Sequence, residues 1–147
     1  MATKDNLEET RKLIDKLTKE KREVIIRGED IEFNRKVLEN KKVQILVLNH
    51  KIGRDKLKER DSGLNEILCR IARENNITLA IDLNDLKTEN KLEKGKILGR
   101  IIQNIKLIRK NKNKIVLVNK PNDKRNLQAL LLVLGMDTKS ANEISKN

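Results

Sequence analysis

Ile77-Thr78-Leu79-Ala80-Ile81-Asp82-Leu83 alternates large aliphatic residues with small or polar ones over seven positions. This period of two is that of a β-strand. A polar segment, Asn84 to Lys91, leads from it into the longest amphipathic stretch of the chain. There Ile97, Leu98, Ile101, Ile102, Ile105 and Ile108 form one apolar helical face, and Lys94, Arg100, Lys106 and Lys110 are expected elsewhere on the wheel. A strand feeding a long helix is one βα unit, and the neighbouring segments repeat it.

Upstream, Val43-Gln44-Ile45-Leu46-Val47-Leu48 reads as a strand. Asn49 to Arg60 is too polar for a core and reads as a loop. Asp61-Ser62-Gly63 offers N-cap side chains to a helix whose Leu64, Ile67, Leu68 and Ile71 share a face, with Asn75-Asn76 ending it. Further upstream, Val24-Ile25-Ile26 is a short strand closed by Gly28-Glu29-Asp30, and a helix fits Ile31 to Asn40. The opening stretch, Asn6 to Lys21, carries Leu7, Leu13, Ile14 and Leu17 on a thin amphipathic helix. Downstream, Ile115-Val116-Leu117-Val118 is a strand, followed by Pro121, a basic turn and a final helix with Leu127, Leu130, Leu131 and Leu134, capped by Gly135.

Strand and helix thus alternate four times after a first helix. The pattern predicts an α/β fold of about four parallel βα units, either an open sheet or part of a TIM-like (β/α) barrel. The 147 residues fit a single domain, with an amphipathic N-terminal helix over 1–22 and the βα repeat over 23–147. Four strands cannot close a barrel by themselves.

Lys and Arg number 34 against 22 Asp and Glu, a net charge of +12, which favours a polyanionic partner. Lys, Asn and Ile all have AT-rich codons, so base composition also feeds the lysine excess. Phe33 is the only aromatic residue, which excludes stacking of bases on aromatic platforms. The single cysteine, Cys69, lies among apolar residues of a helix and reads as a buried thiol in a reducing compartment. No charged leader followed by an apolar run opens the chain, and no apolar stretch approaches the ~18 residues that span a bilayer. A soluble, cytoplasmic protein with no membrane partner is expected.

Catalytic constellations are sparse. His50 is the only histidine and is expected on the surface of its loop, which leaves no zinc cluster and no base for a nucleophilic triad. Gly28, Gly53 and Gly63 stand singly, without a phosphate-binding loop pattern. Asp82 and Asp61 form a magnesium-binding carboxylate pair only if the fold brings them together. What stands out is the placement of cations after strands: Lys51, Arg54, Lys56, Lys58 and Arg60 after the second, and Lys120, Lys124 and Arg125 after the fourth. Ligands collect at that edge of parallel sheets. Helix N-termini at Ser62 and Asn126 would add backbone N–H groups there.

Arg60-Asp61-Ser62-Gly63-Leu64-Asn65-Glu66-Ile67-Leu68-Cys69-Arg70 resembles the Arg/Lys-Asp-Ser-Gly-Ile-Asp/Asn-His-Val-Leu-Ala-Arg/Lys segment of archaeal ribonuclease P protein component 3. Further pieces follow in the family's order. They are Phe33 to Glu39, Ile77 to Leu83, Leu92 to Leu98, and Asn126-Leu127-Gln128-Ala129-Leu130 closing in Gly135-Met136. The resemblance runs from about Val24 onward. It departs where the family's histidine is Glu66, where Glu-Arg-Ala is Glu93-Lys94-Gly95, and where a Ser-rich strand end is Val118-Asn119-Lys120. Members usually begin with further N-terminal βα units, so this chain reads as a short version.

The resemblance implies a protein subunit of ribonuclease P, the ribonucleoprotein endonuclease that removes the 5′ leader of precursor tRNA. In that enzyme the RNA is catalytic, magnesium sits on the RNA, and the isolated protein holds no cofactor and no catalytic residue. Its implied partners are the ribonuclease P RNA, precursor tRNA indirectly, component 2 and the other protein subunits. Arg35, Arg60 and Arg70 match basic motif positions and Lys124-Arg125 a basic loop. With Arg54 and Lys58 they are the candidate RNA contacts. The alternatives are a degenerate phosphoesterase-like barrel, from the family's likeness to metallohydrolases, and a generic basic RNA-binding scaffold. The exposed sheet edges call for cover, either by a two-fold homodimer or by component 2 with the polar first helix shielding the other edge.

Overall fold

The computed structural model describes residues 4–146, with side chains from Asn6 onward. Its elements are α1 (Lys4–Lys19), β1 (Ile25–Arg27), α2 (Ile31–Leu38), β2 (Ile45–Leu48), α3 (Glu66–Glu74), β3 (Thr78–Asp82), a 3₁₀ turn (Leu83–Leu86), α4 (Lys91–Lys110), β4 (Ile115–Val118), α5 (Lys124–Val133) and α6 (Thr138–Lys146). The N-terminal helix expected over 1–22 therefore covers Lys4–Lys19, and residues 1–3 lie outside the described range.

All strand pairs are parallel and the sheet order is β1-β2-β3-β4. Because the order never reverses, right-handed crossovers place the helices on one side. Ile26, Leu46 and Leu79 stand in register on that side, and two residues further along so do Leu48, Ile81 and Leu117. They bury against two aliphatic clusters. The first combines Ile14 of α1, Phe33, Val37 and Leu38 of α2, and Leu68, Cys69 and Ala72 of α3; the second combines Ile97, Ile101 and Ile105 of α4 with Leu127, Leu131, Leu134 and Ala141. Burial pushes the Cys69 thiol up to about 12, with Glu66 adding to it, so the thiol is inert at neutral pH.

The opposite face carries Ile25, Ile45 and Thr78 in one row and Val47, Ala80 and Val116, next to Arg27, in another. None of these residues joins either cluster. β3 nevertheless buries Leu79, Ala80 and Ile81 in succession, because a central strand is flanked on both sides.

Several boundaries differ from the sequence reading. Helix α3 starts at Glu66 with Asn65 as its N-cap, its side chain accepting from the Leu68 N–H at 2.9 Å, so Ser62 and Leu64 are buried loop residues. Ile67 points outward at 54% exposure, and Cys69 and Ala72 take its place on the packed face. On α4 the buried face includes Arg100 and Asn104, while Leu98 and Ile102 are half-buried. At ~100° per residue Asn104 falls about 20° from Ile97, nearer the centre of the stripe than Ile102. Asp123 caps α5, which places Asn126 within its first turn. Gly135 follows α5 with φ +98°, the left-handed geometry expected of it. Helix α6 was not anticipated, since it offers only Ala141 and Ile144 as apolar contacts. The first helix lies in the helix layer beside α2, with Leu13 exposed, and does not reach across the inner face.

Ile101, fully buried on the packed face of α4, should cost roughly 2–5 kcal/mol when cut to alanine. Ile67→Ala should cost no more than about 0.5 kcal/mol. Urea denaturation of the two variants checks the difference.

Candidate nucleic-acid interface

Four parallel strands end on the same rim of the sheet, and the side chains there are tied laterally. Arg27, the last residue of β1, donates from Nη1 to Asp82 Oδ2 (2.9 Å), and from Nη2 to Asp85 Oδ1 (2.7 Å) and Asn49 Oδ1 (3.2 Å). Asp82 Oδ1 in turn accepts from Asn119 Nδ2 at 2.8 Å and from the Asn84 N–H at 2.9 Å. One polar belt thus joins the ends of all four strands.

His50 lies inside this belt. It is fully buried, contrary to the surface position expected from its charged loop. Its backbone N–H donates to Asp85 Oδ2 at 3.0 Å, and Nδ1 stands 3.5 Å from the same oxygen. Asn104 Nδ2 donates one hydrogen to the Ser62 carbonyl (3.0 Å) and directs the other at His50 Nε2 (2.9 Å). With Nε2 accepting, the proton belongs on Nδ1, facing Asp85. Burial holds the His50 pKa below its ordinary value, and Arg27 and Arg100 nearby add to that against the pull of Asp85, so the ring is neutral. Burial pushes the Asp85 carboxyl up, but His50, Arg27 and the His50 backbone N–H outweigh it and bring it to about 2.

Helix α4 holds the β2–α3 loop from below. Arg100, 6% exposed at its side chain, donates from Nε to Asp55 Oδ1 (3.0 Å), from Nη1 to the His50 carbonyl (2.9 Å) and from Nη2 to that of Gly53 (3.3 Å). Gln103 Nε2 donates to the Arg60 carbonyl (2.9 Å) and Ser62 Oγ (3.1 Å). On the other side Asn34 Nδ2 donates to the Gly63 carbonyl at 2.8 Å. Within the loop Asp61 Oδ2 accepts from the Arg54 N–H (2.9 Å), and the Asp61 N–H donates to Asp55 Oδ1 (2.9 Å). Gly53 has φ +133° and presses against the Asp61 carbonyl, a position where a side chain would collide.

This clamp fixes the backbone carrying Arg54, Lys58 and Arg60, all exposed. Arg60 lies over Gly99 of α4, where a Cβ would overlap its guanidinium, and is 3.8 Å from Asp55. Lys124 and Arg125 open α5 at the same rim and are exposed. Arg35 and Arg70 are separated from this group. Each is the fifth residue of its helix, on the solvent side of α2 and α3 and about one turn below the rim, with Arg35 paired to Glu39 at 3.1 Å.

The helix N-termini are occupied by their own caps. Asp123 accepts from the Arg125 and Asn126 N–H groups and sets a carboxylate where an anion was expected, and Asn65 fills the same role on α3. Asp82 and Asp61 serve separate networks and form no pair. Among the described residues no group of three or more His, Cys, Asp or Glu side chains is arranged to hold a metal ion, and no helix is long and apolar enough to cross a membrane. The exposed cations of the rim can bind polyanions electrostatically. The sequence reading missed Arg100, Asn104 and His50 as parts of the site; of the three only Asn104, beside Ile97 on the helical wheel, carried a signal.

No protein-family model matches the chain. Among curated proteins, ribonuclease P protein component 3 of Methanococcus vannielii is 27% identical over 114 residues, 75% of this chain and 47% of the relative. The component 3 proteins of two Methanococcus maripaludis strains are 29% identical over 100 residues and 28% over 118, covering 40% and 48% of their lengths. The chain therefore spans about half the length of the curated relatives it matches. A chain in a cryo-EM structure of archaeal ribonuclease P with mature tRNA superposes with a TM-score of 0.72 at 23% identity, covering 92% of this chain and 60% of that one. The component 3 resemblance read from the motifs thus extends over 68–80% of the chain in these curated relatives, and the chain of the solved structure shares the fold.

Acid should destabilise the protein in two stages. The unfolded chain protonates His50 near its ordinary 6.5 while the native ring stays neutral, so stability falls as pH drops below that value. The depressed Asp85 carboxyl contributes stability above its ordinary 3.8, which is lost as pH falls towards about 2. Urea midpoints should fall between pH 7.5 and 5 in the parent, and His50→Gln, less stable throughout, should be flatter across that window. A flat parent profile would mean that His50 protonates freely in the native state.

Proposed function

We propose that this chain is a component 3-type protein subunit of ribonuclease P, acting in the cytoplasm on the RNA that removes the 5′ leader from precursor tRNA. The observation that carries the reading is the likeness to component 3 over three-quarters of the chain, including the Arg60 to Arg70 segment that turns from the loop into α3. The chain's part is to bind and organise the catalytic RNA. Cleavage belongs to that RNA and its magnesium, with the protein contributing to an endonuclease it does not catalyse. Component 2 and the other ribonuclease P proteins are its assembly partners, and precursor tRNA is met through the complex.

The contacts follow from the rim. Arg54, Lys58, Arg60, Lys124 and Arg125 meet RNA phosphates, and Arg35 and Arg70 flank them on the outer helices. Without aromatic platforms, recognition is by backbone charge and shape. Mobile loops would lose entropy on binding RNA; the Arg100 clamp pre-orders the first three cations and reduces that cost.

Affinity for ribonuclease P RNA should fall steeply with salt, and Arg60→Ala with Lys124→Ala should flatten the log–log slope by about two while lowering affinity. Filter binding from low to moderate salt measures it, and an unchanged slope would remove those residues from the interface. In a reconstituted complex the chain should lower the magnesium needed for leader removal, since bound cations replace part of the ion atmosphere. Cleavage by RNA-free protein, abolished by a chelator, would overturn the subunit reading in favour of a phosphoesterase. Failure to co-purify ribonuclease P RNA, with other RNAs retained, would favour a general RNA-binding scaffold.

A further inference from the structure

Among the described residues the inner face of the sheet is exposed on its two edge strands, while Val47 and Ala80 at its centre are buried. Ile25 is 45% exposed and Val116 37%, and the rows they belong to pack against no helix. β1 and β4 each have a strand neighbour on one side only. Parallel sheets are ordinarily covered on both faces, and an open edge is a template for another strand.

The geometry points to a second copy of this chain as the cover, two four-stranded sheets closing into one eight-stranded parallel barrel. The operator is a two-fold axis running along the barrel. Since the order is β1-β2-β3-β4 with all strands parallel, a half-turn about that axis sets the partner's first strand beside β4 and its fourth beside β1. Both junctions are parallel, and one operation closes both edges and both inner faces. Eight is also the strand number at which side chains fill a barrel's interior.

The side chains suit that interior. Each copy contributes Ile25, Ile45, Val47, Val116 and Val118, with Thr78 and Ala80 as small spacers, and branched aliphatics dominate such cores. Arg27 would be the obstacle in these rows, but Asp82 and Asp85 already hold its guanidinium at the rim. Helix α1 does not compete for the face, because Ile14 is buried in the helix layer. The inference rests on the fold and is independent of the ribonuclease P reading. In the closed ring both sets of rim cations would share one end.

Sedimentation equilibrium of the 147-residue chain, at salt high enough to screen its +12 charge, tests the proposal. The expected result is a concentration-dependent dimer of about twice 17.0 kDa, with amide exchange at β1 and β4 slowing as the dimer forms. Val116→Lys should weaken dimerisation at least 100-fold while circular dichroism stays unchanged, because position 116 is already partly exposed in the single chain. A monomer at every concentration would overturn the proposal, as would a dimer insensitive to Val116→Lys or edges protected only by a different polypeptide.

Discussion

The buried guanidinium of Arg100 is the interaction on which the candidate interface depends. A charge taken out of water must be paired and hydrogen-bonded, and Arg100 meets that demand with the Asp55 carboxylate and two loop carbonyls. Each of those bonds draws the charged β2–α3 loop onto the C-terminal end of an aliphatic sheet. Removing one partner of such a pair typically costs about 3–5 kcal/mol, which makes this loop part of the folded body. Gln103 and Asn104, from the next turn of the same helix, extend the hold to Ser62 and thus to the entrance of α3.

Beneath that clamp the Arg27, Asp82, Asp85 and His50 belt answers a second demand. Parallel strands end together, and the polar groups at their ends have to be satisfied where the helices begin. Arg27 spans three residues at or just beyond the ends of β2 and β3 at once, and Asp85 accepts from both Arg27 and the His50 backbone. The ionisable groups below the rim are thereby spent on one another, and the cations above it remain available. Division into a satisfied polar floor and an exposed basic surface suits the binding of a polyanion by charge.

Much of the architecture was legible from short patterns. β4 matched its four aliphatic residues, β3 and β2 lay within their β-branched runs, and α4 ran through its isoleucine stripe. Parallel order followed from alternation alone. Helix α6 escaped because two apolar residues make no stripe, and Ser62 was misread as a cap because Asn65, three residues on, has the same capping chemistry. Of the site, the cations of the β2–α3 and β4–α5 loops were legible as residues that follow strands. Arg100 and His50 were not, because a charged or polar residue in sequence is taken as solvated until a partner distant in the chain is known. Arg100 and Asp55 are 45 residues apart, His50 and Asp85 35.

The sequence by itself determined the α/β class, the four parallel strands, the absence of aromatic stacking platforms and the excess of positive charge. Local periodicity and composition suffice for these, since each depends on residues within a turn or two of one another. Tertiary structure alone decided which charges are buried and which are free. It turned His50 inward, made Arg100 a structural cation, assigned Asp82 to Arg27 instead of to Asp61, and left Ile25 and Val116 on an open face. Those outcomes depend on what each side chain meets across the sheet rim, and a charge's cost or use is set by that environment rather than by its place in the chain.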